Sequence, residues 1–171
     1  MIRIPRGFYF TPTPGELVGF YLGRKVNGIP LPYEVIREFD PFIYEPWELF
    51  EENSRRYSYV FSKMKVRDMH WNHKPVGVGT WLFLGCEEII NHNGQIIGYD
   101  RQYIFLLTPS GVIYHGDWVM HQFSLPDHDY GGDRDVNFFP YFILHVTILF
   151  HVLYKIIFSG NLQGPNEVHI D

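Results

Sequence analysis

The residues with the right types for chemistry lie between positions 55 and 92. Cys86 stands beside Glu87 and Glu88, His70 and His73 are three apart, and His92 follows. A neighbouring acid raises a thiol pKa, so Cys86 is a poor nucleophile. Glu87 and Glu88 are adjacent, and adjacent side chains on a strand point to opposite faces, so they do not share one substrate as an acid–base pair. Three histidines with one cysteine and no accompanying carboxylate pattern fall short of a zinc set, and satisfied or surface histidines are the plainer reading. No glycine-rich phosphate loop is present. The expectation is a protein that is not an enzyme and uses no cofactor and no metal.

What remains is a charge boundary. Between Arg55 and Lys74 there are six basic residues (Arg55, Arg56, Lys63, Lys65, Arg67, Lys74) against one acid, Asp68. The run feeds Pro75-Val-Gly-Val-Gly-Thr-Trp-Leu-Phe-Leu-Gly85. Glycine inside a strand pattern marks a bulge, a tight bend or a close backbone approach. A basic run leading into a glycine-framed aromatic strand is what a strand laid against a phosphate backbone would look like. The plainer reading of the run is a solvated face, and that of Trp81 and Trp118 is core. From Trp71 to Leu125 only Lys74 and Arg101 are basic, against Glu87, Glu88, Asp100 and Asp117.

The elements that must position these residues follow from the rest of the chain. Its 171 residues are 46% hydrophobic and 18% aromatic, ample for one core, and the formal charge of -5 gives no global signature for nucleic acid. One cysteine excludes an intramolecular disulfide framework and fits a reducing compartment. Met1–Arg6 lacks the apolar core of a secretory signal. Residues 4–14 are extended, because Pro5, Pro12 and Pro14 forbid helix. Thr13 then caps a helix, with Pro14 at its first position and Glu16 completing a capping box. Leu17, Phe20, Tyr21 and Leu22 follow at roughly helical spacing, and Asn27-Gly28 ends the run. A second short helix is expected over 32–38, with Val35 and Ile36 buried. Glu45-Pro-Trp-Glu-Leu49 reads as an aromatic anchor turn. Strands are expected at Tyr57–Ser62, Thr80–Leu84, Ile96–Leu107 and Trp118–Phe123, with turns at Asn93-Gly94 and Pro109-Ser-Gly111. The fold class is α+β: a few short helices, then a twisted antiparallel sheet. Nothing alternates strand with helix, which argues against a nucleotide-binding parallel sheet.

In order, these stretches resemble the NAC domain of plant transcription factors. Ile4-Pro-Arg-Gly-Phe-Tyr-Phe-Thr-Pro-Thr-Pro-Gly-Glu-Leu-Val18 is similar to the family's L-P-P-G-F-R-F-H-P-T-D-E-E-L-V. Leu22–Leu31 matches the helix end that follows. Glu45–Leu49 resembles D-P-W-D-L, and Asp117-Trp-Val-Met-His-Gln-Phe-Ser-Leu125 resembles x-W-V-M-H-E-Y-R-L. Four motifs in order and spacing are specific together. The resemblance implies a nuclear protein that binds double-stranded DNA and regulates transcription, paired through its N-terminal segment as a homodimer or with NAC relatives. The implied DNA contacts are Lys63 and Lys65 of the basic run with Lys74, Trp81 and Arg101; the implied dimer contacts are Tyr9 and Glu16. The domain would cover 4–126, followed by a polar linker at 127–137 and an apolar tail at 138–171.

The frame matches better than the chemistry. In the family a strand W-K-A-T-G enters the major groove; here it reads Trp81-Leu-Phe-Leu-Gly85, with Leu82 for the lysine and Glu88 where a second lysine follows. Asp100-Arg101 replaces a Lys-Lys pair, and Thr108–Gly111 lacks the family's arginine. Tyr9 replaces the arginine that would pair with Glu16 across the two-fold. The expectation is DNA affinity below the family's. The alternative is an interaction protein with weak DNA binding that dimerises with intact relatives. The run 138–158 is 21 residues, enough to span a bilayer core, which needs about 20. A membrane-tethered form and a tail without a selected role are the two readings of it.

Overall fold

The structure is a computed structural model that describes residues 9–33, 36–49, 57–65, 72–107, 114–126 and 149–158. Thr13 caps a helical segment as its sequence pattern requires. Its N–H and hydroxyl donate to Glu16 Oε2 at 2.8 and 2.9 Å, and the Glu16 N–H donates to Thr13 Oγ1 at 3.3 Å. The segment begins as an α-turn at Pro14–Glu16, widens to a π-helix over Leu17–Leu22 and returns to α over Gly23–Val26. Residues five apart stack in a π-helix, which turns Leu17 and Leu22, with Val18, onto one buried face. The segment stops at Gly28, whose φ of +66° is left-handed.

Seven strands form one twisted sheet: β1 (Arg37–Glu38), β2 (Tyr57–Lys65), β3 (His73–Val76), β4 (Gly79–Ile90), β5 (Ile96–Leu107), β6 (Tyr114–Ser124) and β7 (Leu149–Phe158). Their order is β1-β2-β7-β6-β5-β4-β3. Every pairing is antiparallel except β1 with β2. The expected β5 has the observed ends, and the other three expected strands lie inside longer ones. The sheet is sandwiched. On one face the helical segment buries Leu17, Val18 and Leu22 against Tyr59, Phe61, Phe123 and Leu153. On the other, the turn ending at Leu49 packs with Val60, Trp81, Tyr103, Phe105, Met120, Tyr154 and Ile156.

Two expectations are corrected. The second helix is not formed among the described residues of 32–38: Arg37–Glu38 is a short strand whose register partners are Val60 and Phe61. Ile36 is buried as expected, whereas Val35 lies outside the described residues. The Arg37 guanidinium donates to the Leu49 carbonyl at 2.7 Å, and Lys25 ion-pairs with Glu38, so this stretch is held by β2, the turn and the helical segment. The sheet also does not end at β6. Ten residues of the apolar run are β7, inserted between β2 and β6. A strand covered on both faces has no polar side to alternate with, so it reads as a continuous apolar run. Leu149–Phe158 is thus strand in this sheet, while 138–148 lie outside the described residues. Among the described residues no helix is long and apolar enough to cross a membrane.

Candidate nucleic-acid interface

The glycine-framed stretch forms the β3–β4 hairpin, and its glycines serve the three purposes open to them. Gly77 turns the chain with φ +52°. A Cβ on Gly79 would lie 2.5 Å from the Leu106 carbonyl oxygen and from the Phe105 ring, so the backbone there runs against β5. Gly85 borders a bulge, where register slips between Phe83 and Gly85. The anchor turn at Glu45–Leu49 grips this hairpin. Pro46–Leu49 is a 3-10 turn, and Glu45 Oε1 accepts the Val78 N–H at 2.9 Å. Trp47 meets Phe105 edge-on at 6.0 Å.

Of the five residues considered for DNA contact, the hairpin buries two. Trp81 is fully buried, packed on Phe105 at 5.0 Å, and its indole N–H has no hydrogen-bond partner among the described residues. Lys74 lies opposite Trp81 in register; it is buried too, with its ammonium 3.9 Å from the Phe42 ring centroid. Both side chains are turned inward and have no surface to lay on a phosphate. Arg101 lies opposite Cys86 with its guanidinium 5.3 Å from the Phe83 ring. Its neighbour Tyr103 has its hydroxyl pKa raised by burial, an effect that Arg101 opposes. Lys63 is exposed on β2, four strands from β4, about 19 Å at ordinary strand spacing. The Lys65 backbone continues β2, opposite Leu149. The structure therefore does not gather the five on one edge.

What β4 displays instead is apolar and acidic. Leu82 is 37% exposed and Leu84 58%, and Cys86, Glu87 and Glu88 are exposed beyond them. Glu87 pairs in register with Asp100, whose buried carboxylate meets His121 Nδ1 at 2.9 Å. Asp100 is thus engaged inside the sheet. Sequence reasoning found no partner for Asp100 or Glu45, because each reaches across more than 20 residues and nothing local announces the contact. At the N-terminus, Tyr9 is 73% exposed, and Glu16 is engaged by Thr13 within the chain, which lowers its pKa below the ordinary glutamate value.

Comparison with known proteins completes the picture. A family model described as No apical meristem (NAM) protein matches residues 5–125. The chain is similar to Transcription factor JUNGBRUNNEN 1 of Arabidopsis thaliana, 32% identical over 124 residues, 70% of this chain and 45% of that protein. It is 35% identical over 132 residues to NAC domain-containing protein 83 of the same plant, covering 73% of this chain and 51% of that one. With NAC domain-containing protein 2 of Oryza sativa subsp. japonica it shares 33% over 132 residues, 74% of this chain and 41% of the other. The chain spans about half the length of these curated relatives.

Proposed function

The chain belongs to the NAC family, and from that premise we propose that it regulates transcription in the nucleus while holding DNA only weakly by itself. The observation that carries this is the surface of β4, which presents Leu82, Leu84, Glu87 and Glu88 where cations would be needed. Each phosphate contact contributes a slope of about 0.9 in log affinity against log salt. A DNA-facing edge with two acids and a buried Lys74 supplies few such contacts. Leu82 and Leu84 can touch thymine methyls, a weak device for specificity. The DNA-binding unit would be residues 4–126 with β7 completing its sheet. Pairing through the exposed Tyr9 segment with intact NAC relatives is the route by which such a chain would act: a mixed dimer has one competent half.

The test is a gel shift of the full chain on a NAC-type site at two salt concentrations, alone and mixed with an intact NAC domain. Weak binding alone, a shallow salt slope and a weakened mixture are expected. Leu82→Lys with Glu88→Lys then restores binding and steepens the slope. Tight, salt-steep binding by the unmodified chain would overturn the reading.

A further inference from the structure

The basic run opens with Arg55-Arg56-Tyr57-Ser58, which places arginines three and two positions before a serine hydroxyl. No other serine or threonine of the chain has an arginine or lysine at either position. Protein kinases that act on basic substrates read this spacing, because carboxylates in their peptide groove pair with guanidinium groups ahead of the acceptor. The fold gives the same hydroxyl a further basic neighbour from a distant part of the chain. Ser58 is the second residue of β2 and is half-buried. Arg37, exposed at the start of β1, donates from Nη2 to Ser58 Oγ at 3.3 Å and to the Leu49 carbonyl at 2.7 Å. Its guanidinium also lies 5.2 Å from the Phe39 ring centroid. Arg37 thus ties β1, β2 and the anchor turn together beside the serine oxygen.

A hydroxyl makes little use of that guanidinium, and 3.3 Å is long for such a bond. A phosphate at the same place brings about -1.5 to -2 charge and three acceptor oxygens. An arginine fork can meet it with two parallel bonds. We propose that Ser58 is a phosphorylation site, modified by a serine/threonine kinase that recognises basic substrates, and that its phosphate is seated on Arg37. In the transfer, Ser58 Oγ bonds to the γ-phosphorus of ATP and the bond from that phosphorus to the β–γ bridging oxygen breaks. ADP leaves with that electron pair, and the hydroxyl proton passes to a carboxylate of the kinase. Access follows from position: the ends of a strand open at low cost, and Ser58 is one residue from the end of β2. The product carries a dianion at the head of the basic run, which lowers the attraction of that run for nucleic acid. The site goes beyond the transcriptional reading and does not depend on whether the chain binds DNA.

The test uses the folded full chain with MgATP and the catalytic subunit of a cyclic-nucleotide-dependent protein kinase as the basic-substrate probe. One phosphate is expected, mapped to Ser58 by mass spectrometry. Arg55→Ala with Arg56→Ala should lower kcat/KM by at least about tenfold, the worth of one lost charge-assisted hydrogen bond. Phosphorus NMR reads the seat. Phosphoserine ordinarily passes from dianion to monoanion at about pH 6. In the phosphorylated chain Arg37 should keep the dianion to lower pH. A phosphopeptide of Arg55–Phe61 has the same arginines but no fold, and should titrate at the ordinary value. That comparison needs no variant, so a misfolded one leaves the test intact. Arg37→Ala should move the chain's titration to that of the peptide. Phosphate only at other residues or incorporation indifferent to loss of the two arginines would overturn the proposal. So would chain and peptide titrating alike, or a folded Arg37→Ala chain titrating like the natural one.

Discussion

At the start of the helical segment, Thr13 and Glu16 satisfy each other; at the β3–β4 hairpin, Glu45 takes the Val78 N–H and Trp81 fills the core beneath. In both places the residues that hold the backbone are the ones matching the family's motifs. The residues that face outward differ: Tyr9 at the first, Leu82 and Glu88 at the second. The consequences are not alike. At the helix, Glu16 loses nothing essential when no arginine faces it, because its carboxylate already accepts from Thr13. At the hairpin, the outward positions of β4 display Leu82, Glu87 and Glu88, an apolar and acidic surface. Frame and display are thus separable within two neighbouring residues of one strand.

The largest effect should come from testing that separation at adjacent positions. Trp81→Ala opens a cavity in the centre of one core and should cost about 3–5 kcal/mol. Leu82→Ala, one residue on and facing solvent, should change stability by no more than about 0.5 kcal/mol. Urea midpoints with unchanged slopes measure both. Similar costs at 81 and 82 would mean that the strand is not divided in this way.

How much of this was visible in the sequence depends on the range of the contact. The capping box, the Gly28 stop, the Asn93-Gly94 turn and the bend at Gly77 are local, and local spacing encodes them. Arg37–Glu38 was read as helix because its partner strand lies more than 20 residues away. β7 was read as a tail because a strand covered on both faces carries no period to recognise. Lys74 was read as a phosphate contact because its charge is written in the sequence, while the Phe42 ring that receives it is not. The candidate surface was legible as a list of types at β4, and not as a set of neighbours across the sheet.

A middle-sized effect is expected where the anchor turn meets the hairpin. Gly77→Ala places a side chain at φ +52° and its Cβ 2.1 Å from Glu45 Oε1. The left-handed conformation alone costs about 1–2 kcal/mol. Glu45 can swing away, at the loss of its bond to Val78. If that is the origin of the extra cost, Gly77→Ala combined with Glu45→Ala costs less than the sum of the two single changes. Strict additivity in urea unfolding would show that Glu45 does not restrain the turn.

The smallest effect sharpens the other side of the comparison. Glu16 has its pKa lowered from 4.5, first by the backbone N–H of Thr13 and then by its hydroxyl. A carboxylate whose folded pKa is depressed contributes stability that is fully present above its unfolded value. That contribution falls away as the pH drops through the folded pKa. Glu16→Gln cannot titrate, so the difference in urea midpoint between the natural chain and this variant should be constant near neutrality. It should then shrink as the pH falls below 4.5. Thr13→Ala removes the hydroxyl but keeps the N–H; it should cost about 1 kcal/mol through the cap and leave a weaker version of the same acid dependence. A difference between the natural chain and Glu16→Gln that stays flat into acid would mean that Thr13 does not hold this carboxylate. Glu16 would then be available to a partner chain, and the helix start would resemble the hairpin after all, with its charge displayed rather than spent inside the fold.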